Sequence, residues 1–150
     1  MLRIPKPQQN QSINYKDYTN RVCVLCDMSF DDKKYFHSKL CEFIDDATGD
    51  ILFISGSQNT KGGESFIPQW CEKYKYPLAK ILPKWDDYKK LDGESHVAGA
   101  VFSRNYDIVK FCTHLLYFNR KGVSKIPTIK HLLELCNDPD NVITTIEFLR

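Results

Sequence analysis

Two stretches of this chain, Val22 to Cys26 and Ile51 to Ile54, are short runs in which every residue is apolar or β-favouring. A strand with one wet face alternates apolar and polar residues. A strand apolar at every position is covered on both faces, as in parallel sheets. Each run is followed by helical spacing. After the first, Phe36, Leu40, Phe43 and Ile44 recur within a helix predicted from about Asp32 to Ile44, with Ser29 or Asp31 as its cap. Ala47 to Asp50 is turn-like. After the second, Phe66, Ile67, Trp70 and Cys71 share one face of a helix from about Glu64 to Tyr74, with Pro68 in its first turns.

The alternation continues. Ala79 to Leu82 is a third strand, Lys84 to Ser103 is irregular and aromatic, and Arg104 to Lys110 is a helix. Cys112 to Phe118 is a fourth strand, Pro127 to Cys136 a helix and Val142 to Phe148 a last strand. This order predicts the α/β class: an open parallel sheet of about five strands, right-handed crossovers and helices on both faces.

The chain's 150 residues suit one domain, with Met1 to Asn20 as a polar N-terminal tail and residues 21–150 as the folded unit. A formal charge of +2, with lysines interleaved among acids, gives no basic face for nucleic acid and none for an anionic membrane. No run approaches the roughly 20 apolar residues that span a bilayer. The tail lacks the apolar core of a signal peptide, so the expected location is cytoplasmic and the six cysteines are expected to be reduced. Cys23 and Cys26 form a CxxC without the second ligand pair that zinc needs. In a strand their side chains point to opposite faces. Neither a metal nor a cofactor is called for.

Ligands of open parallel sheets bind at the carboxyl ends of strands, where strand order reverses. Three loops meet that rule: Asp27 to Phe30, Ser55 to Gly63, and Asn119 to Thr128. The second is the richest. Gly56, Gly62 and Gly63 can bring backbone N–H groups close to an oxyanion, and the next helix adds its positive end. Ser55, Ser57, Asn59 and Thr60 add donors, and Lys61 a charge. The alternative is that the glycines serve only the turn. The loop fits neither the Walker A nor the GxGxxG pattern.

Glu64 suits a helix start and could also meet a ribose hydroxyl. Arg104-Asn105 opens a helix, with Arg suited to a phosphate or carboxylate. Ser124 to Thr128 precedes another helix, as an anion-facing end or an ordinary cap. His37, His96, His114 and His131 show no metal spacing and read as structural; Asp86-Asp87 read as an exposed pair.

These motifs, in this order, resemble the SLOG superfamily (named for the SMF/DprA and LOG proteins), in its small YspA/YpsA-related branch. The resemblance runs from about Arg21 to Phe148. Ile54-Ser55-Gly56-Ser57 and Gly62-Gly63-Glu64 match that branch's Ser-Gly-Gly-x-x-Gly-Ala-Asp, and Trp70-Cys71 its aromatic-Ala pair. Lys75-Tyr76-Pro77 stands at Gly-Tyr-Pro, and Leu82-Pro83-Lys84-Trp85-Asp86-Asp87-Tyr88 at the place of Pro-x-x-Trp-x-x-Tyr. Ala98-Gly99 with Arg104-Asn105, and Gly122 to Thr128, complete it. The chain departs from the family in a longer first loop (Gln58 to Lys61), in the spacing between Ala98-Gly99 and Arg104-Asn105, and in Pro127-Thr128 where Gly-Thr is usual. The proline removes a backbone donor.

The resemblance implies a Rossmann-like fold that binds ADP-ribose, NAD-like, nucleotide-sugar or cyclic nucleotide ligands, as a sensor or a sequestering protein. Some relatives are phage-encoded. It carries over Ser55, Gly56, Gly62, Glu64, Arg104, Asn105, Ser124 and Thr128 as pocket residues, with Ser57 and Gly63 beside them, and it implies a homo-oligomer. Related LOG enzymes cleave the base–ribose bond with a glutamate at the position that His131 holds here. A nucleotide hydrolase acting on an N-glycosidic or phosphate bond is the alternative function, with Glu64 or Asp86 as its acid/base. A protein-interaction regulator with a decayed pocket is another.

Overall fold

The computed structural model describes residues 14–56, 62–84 and 97–150. Within them the chain runs through β1 (Asn20–Cys26), α1 (Lys33–Asp46), β2 (Ile51–Ser55), a 3-10 turn (Gly62–Ser65) and α2 (Phe66–Tyr74). It continues through β3 (Leu78–Lys80), α3 (Val97–Phe111), β4 (His114–Asn119), α4 (Pro127–Asn137) and β5 (Thr144–Leu149). The strands form one sheet in the order β3-β2-β1-β4-β5, and every neighbouring pair is parallel. The expected α/β open sheet is the fold. Strand order reverses between β1 and β4, because α3 carries the chain from one edge of the sheet to the far side of β1.

Residue alternation along the central strands builds two cores. Cys23, Leu52, Ile54, Leu115 and Tyr117 face α3 and α4, where Ile108, Cys112, Leu132 and Cys136 meet them. Val22, Val24, Cys26, Phe53, Leu116 and Phe118 face α1 and α2, against Phe36, Leu40, Ile67 and Trp70. This explains why β2 is buried at every position. It also places Cys23 and Cys26 in opposite cores, as free thiols.

Several boundaries differ from expectation. The helix predicted to open at Arg104 begins at Val97, so Arg104 and Asn105 sit in the middle of α3. Its buried stripe runs through Ala100, Asn105 and Ile108, and the polar pair interrupts the apolar periodicity that marks a helix. The cap of α1 is Asp32, which accepts from the Tyr35 N–H at 3.0 Å, rather than Ser29 or Asp31. Part of the span read as a tail belongs to the fold. Tyr15 is buried and stacks on Phe111 with centroids 4.3 Å apart, and Asn20 starts β1.

At the end of α2, Lys75 takes the left-handed conformation (φ +64°) that permits the turn into Tyr76-Pro77. Glycine would adopt it without strain. Among the described residues no helix is long and apolar enough to cross a membrane.

Candidate functional site

Over the carboxyl end of β1 lies an open crevice of about 450 Å³, within the range of small-molecule sites. It sits at the strand-order reversal that open parallel sheets use for ligands. Four segments wall it: the end of β2 (Ser55, Gly56), the turn before α2 (Gly63, Glu64), α3 (Val101, Arg104, Asn105) and the start of α4 (Ile126, Thr128, Ile129). Leu25, Pro83 and Leu132 add apolar wall.

Seven of the residues singled out from sequence therefore share one cavity: Ser55, Gly56, Gly63, Glu64, Arg104, Asn105 and Thr128. Gly62 and Ser124 are exposed and are not among its lining residues. Ser57 lies outside the described residues, as do Asn59, Thr60, Lys61, Trp85, Asp86, Asp87, Tyr88 and His96.

Arg104 organises the centre. Its guanidinium Nη1 donates to the Gly56 carbonyl, which ties α3 to the end of β2. A Cβ on residue 56 would fall on that same Nη1, so glycine is what lets the side chain lie there. The guanidinium Nε is buried and has no partner among the described residues. Burial lowers the Arg104 pKa from its usual value, while Cys23 and the Glu64 carboxylate work the other way. Arginine stays charged at neutral pH regardless.

Asn105 is fully buried. Its Nδ2 donates to the Thr128 carbonyl at 2.8 Å and lies 3.1 Å from His131 Nδ1, clipping α3 to the first turn of α4. Among the described residues the amide oxygen has no partner, and neither does the buried Oε2 of Glu64. Unpaired buried polar atoms are rare, and each costs about 1–3 kcal/mol. Three of them fall on residues that line one cavity.

The glycines divide. Gly63 N–H bonds to the Met28 carbonyl at 3.4 Å, and a Cβ there would meet the Phe30 and Asp27 carbonyl oxygens at 2.6 and 2.7 Å. Gly63 thus serves the close approach of this turn to the loop after β1. That loop is itself closed: Asp27 Oδ1 accepts from the Ser29 N–H at 2.9 Å and the Ser29 hydroxyl at 2.7 Å. The start of α4 carries no side-chain cap; Ile126 precedes Pro127 at its first position.

The thiols nearby are not poised as nucleophiles. Burial, with the Glu64 and Asp27 charges, holds Cys26 well above the usual thiol range. Burial pushes Cys23 up to about 12. His131 packs edge-on to Phe102, centroids 4.8 Å apart, behind Asn105. His37 lies on the exposed side of α1, and His114 begins β4 at the far end of the sheet. Among the described residues no three His, Cys, Asp or Glu side chains group as a metal site.

Sequence reasoning missed the apolar wall. Val101 stands one helical turn before Arg104 and Asn105, a signal visible only once α3 is known to start at Val97. Compared with known proteins, the chain matches no protein-family model, no curated protein and no solved structure.

Proposed function

We propose that this chain binds a nucleotide-derived ligand (ADP-ribose, NAD-like, nucleotide-sugar or cyclic nucleotide) in the crevice over β1, as a sensor or a sequestering protein. The observation that supports this reading is the set of three unpaired buried atoms on its walls: one donor, Arg104 Nε, and two acceptors, Glu64 Oε2 and Asn105 Oδ1. A ligand carrying an anion or carbonyl together with hydroxyl or amide donors complements that set. A phosphate suits the arginine, a ribose diol suits the carboxylate, and Leu25, Val101 and Ile126 offer a surface for a base.

Binding is favoured over turnover because Glu64 is the one carboxylate lining the crevice among the described residues. Acid/base hydrolysis of a nucleotide asks for a group placed at the sugar and a second to manage the leaving group or water. Self-association belongs to the proposal and is read by sedimentation velocity.

Calorimetry against ADP-ribose, NAD, a nucleotide-sugar and a cyclic nucleotide tests the reading. At least one should bind, and Arg104→Gln should weaken it about tenfold or more, a loss of about 1.4 kcal/mol or more. No heat from any of the four, up to millimolar concentration, overturns it.

A further inference from the structure

On the opposite face from Arg104 and Asn105, α1 and α2 leave a small cleft between them, of about 150 Å³. Its aromatic wall is Trp70, braced by His37 at 4.8 Å and Tyr74 at 4.4 Å between ring centroids. Trp70 is 7% exposed, yet its indole N–H has no acceptor among the described residues. An indole nitrogen only donates, and a buried donor left unpaired is destabilising.

The cleft that Trp70 lines also gathers cations. Lys33 and Lys73 both line it, and among the described residues no carboxylate does. Lys33 Nζ spends one hydrogen on Gln69 Oε1 at 2.9 Å, and an ammonium has three. Lys73 Nζ lies 5.3 Å from the centre of the Tyr74 ring. An indole donor, two ammonium groups and flat aromatic walls together describe a slot for a flat anion.

We infer that the α1–α2 cleft is a second binding site, which takes the carboxylate of an acidic side chain presented by a partner protein. One carboxylate oxygen accepts from Trp70 Nε1, and the other faces Lys33 and Lys73. The volume selects the source. It is half the roughly 300 Å³ at which small-molecule sites start. A single side chain fills it, and the rest of the affinity comes from the surface around that anchor. The site is independent of the crevice over β1.

The test follows the indole N–H by two-dimensional NMR of the full chain carrying Trp85→Phe, which leaves Trp70 as the one tryptophan. The probes are a capped Gly-Ser-Glu-Ser-Gly peptide, the same peptide with Gln for Glu, and free glutarate. The Glu peptide should move the Trp70 signal downfield and saturate, and the Gln peptide should bind about tenfold more weakly. Lys33→Gln with Lys73→Gln, in the same background, should cut Glu-peptide affinity about fivefold or more. These exposed changes should leave the melting temperature and nucleotide calorimetry unchanged.

Three outcomes sink the proposal. The signal stays still at millimolar Glu peptide; or the Gln peptide binds equally, so that charge is not read; or glutarate binds as tightly as the peptide, so that the source is a free acid.

Discussion

The two faces of the sheet are built from the same alternating strands but solve different problems. Against α1 and α2 the core is almost wholly aromatic and aliphatic. Phe118 sits at its centre, with Phe30, Phe36 and Phe148 at centroid distances of 5.7, 4.8 and 4.6 Å. Against α3 and α4 the buried stripe includes Asn105 and runs beside Arg104, and Arg104 Nε and Asn105 Oδ1 have no partner among the described residues. One face maximises packing. The other gives up packing where the strand order reverses, and that is where we propose the ligand binds.

The largest test of this contrast is Phe118→Ala. If the aromatic face carries stability, the loss should be about 3–5 kcal/mol, the range for deleting a buried phenylalanine. Urea unfolding followed by circular dichroism measures it. A loss under about 1 kcal/mol would place the stability elsewhere and remove the contrast.

Asn105→Ala comes next. It leaves the Thr128 carbonyl without its side-chain donor and frees His131 Nδ1, a loss of about 1–3 kcal/mol. It also removes the unpaired Oδ1, so part of that loss is offset in the free protein. The same variant should therefore weaken nucleotide binding in calorimetry more than it lowers the unfolding midpoint. Equal, small effects on both would make Asn105 a clip between helices and nothing more.

The difference between the faces also sets what the sequence could tell. The strands of the core were legible because β1, β2 and β4 are apolar at nearly every position, and the helices α1, α2 and α4 because their apolar stripes are unbroken. The start of α3 was hidden because the residues that carry the crevice occupy its stripe. Local pattern and tertiary role conflict there, as they tend to at functional sites. Conversely, the glycines that drew attention to the loop after β2 split between two duties. Gly56 admits Arg104, whereas Gly63 packs against the loop after β1. Spacing along a chain cannot separate those duties, since both demand a residue without a Cβ.

The smallest effect concerns His114, the titratable group at the margin of the aromatic face. It begins β4, lies edge-on to Phe43 with centroids 5.2 Å apart, and its Nδ1 is 2.7 Å from the Thr113 hydroxyl. Lys39, Glu42 and Asp46 line the same hollow, and burial lowers the histidine below its ordinary range. The native state therefore binds fewer protons at this site than the unfolded chain does. Stability from the neutral ring is complete above the unfolded pKa of about 6.5 and is lost as pH falls through that value towards the lower folded one. Between pH 7 and pH 5 the unfolding midpoint should fall in the wild type, and His114→Gln should flatten that part of the slope. Arg104 stays charged across the same window, so nucleotide affinity should not follow the His114 titration. An affinity that tracks it would couple the two faces, and the division between a packing face and a reading face would no longer hold.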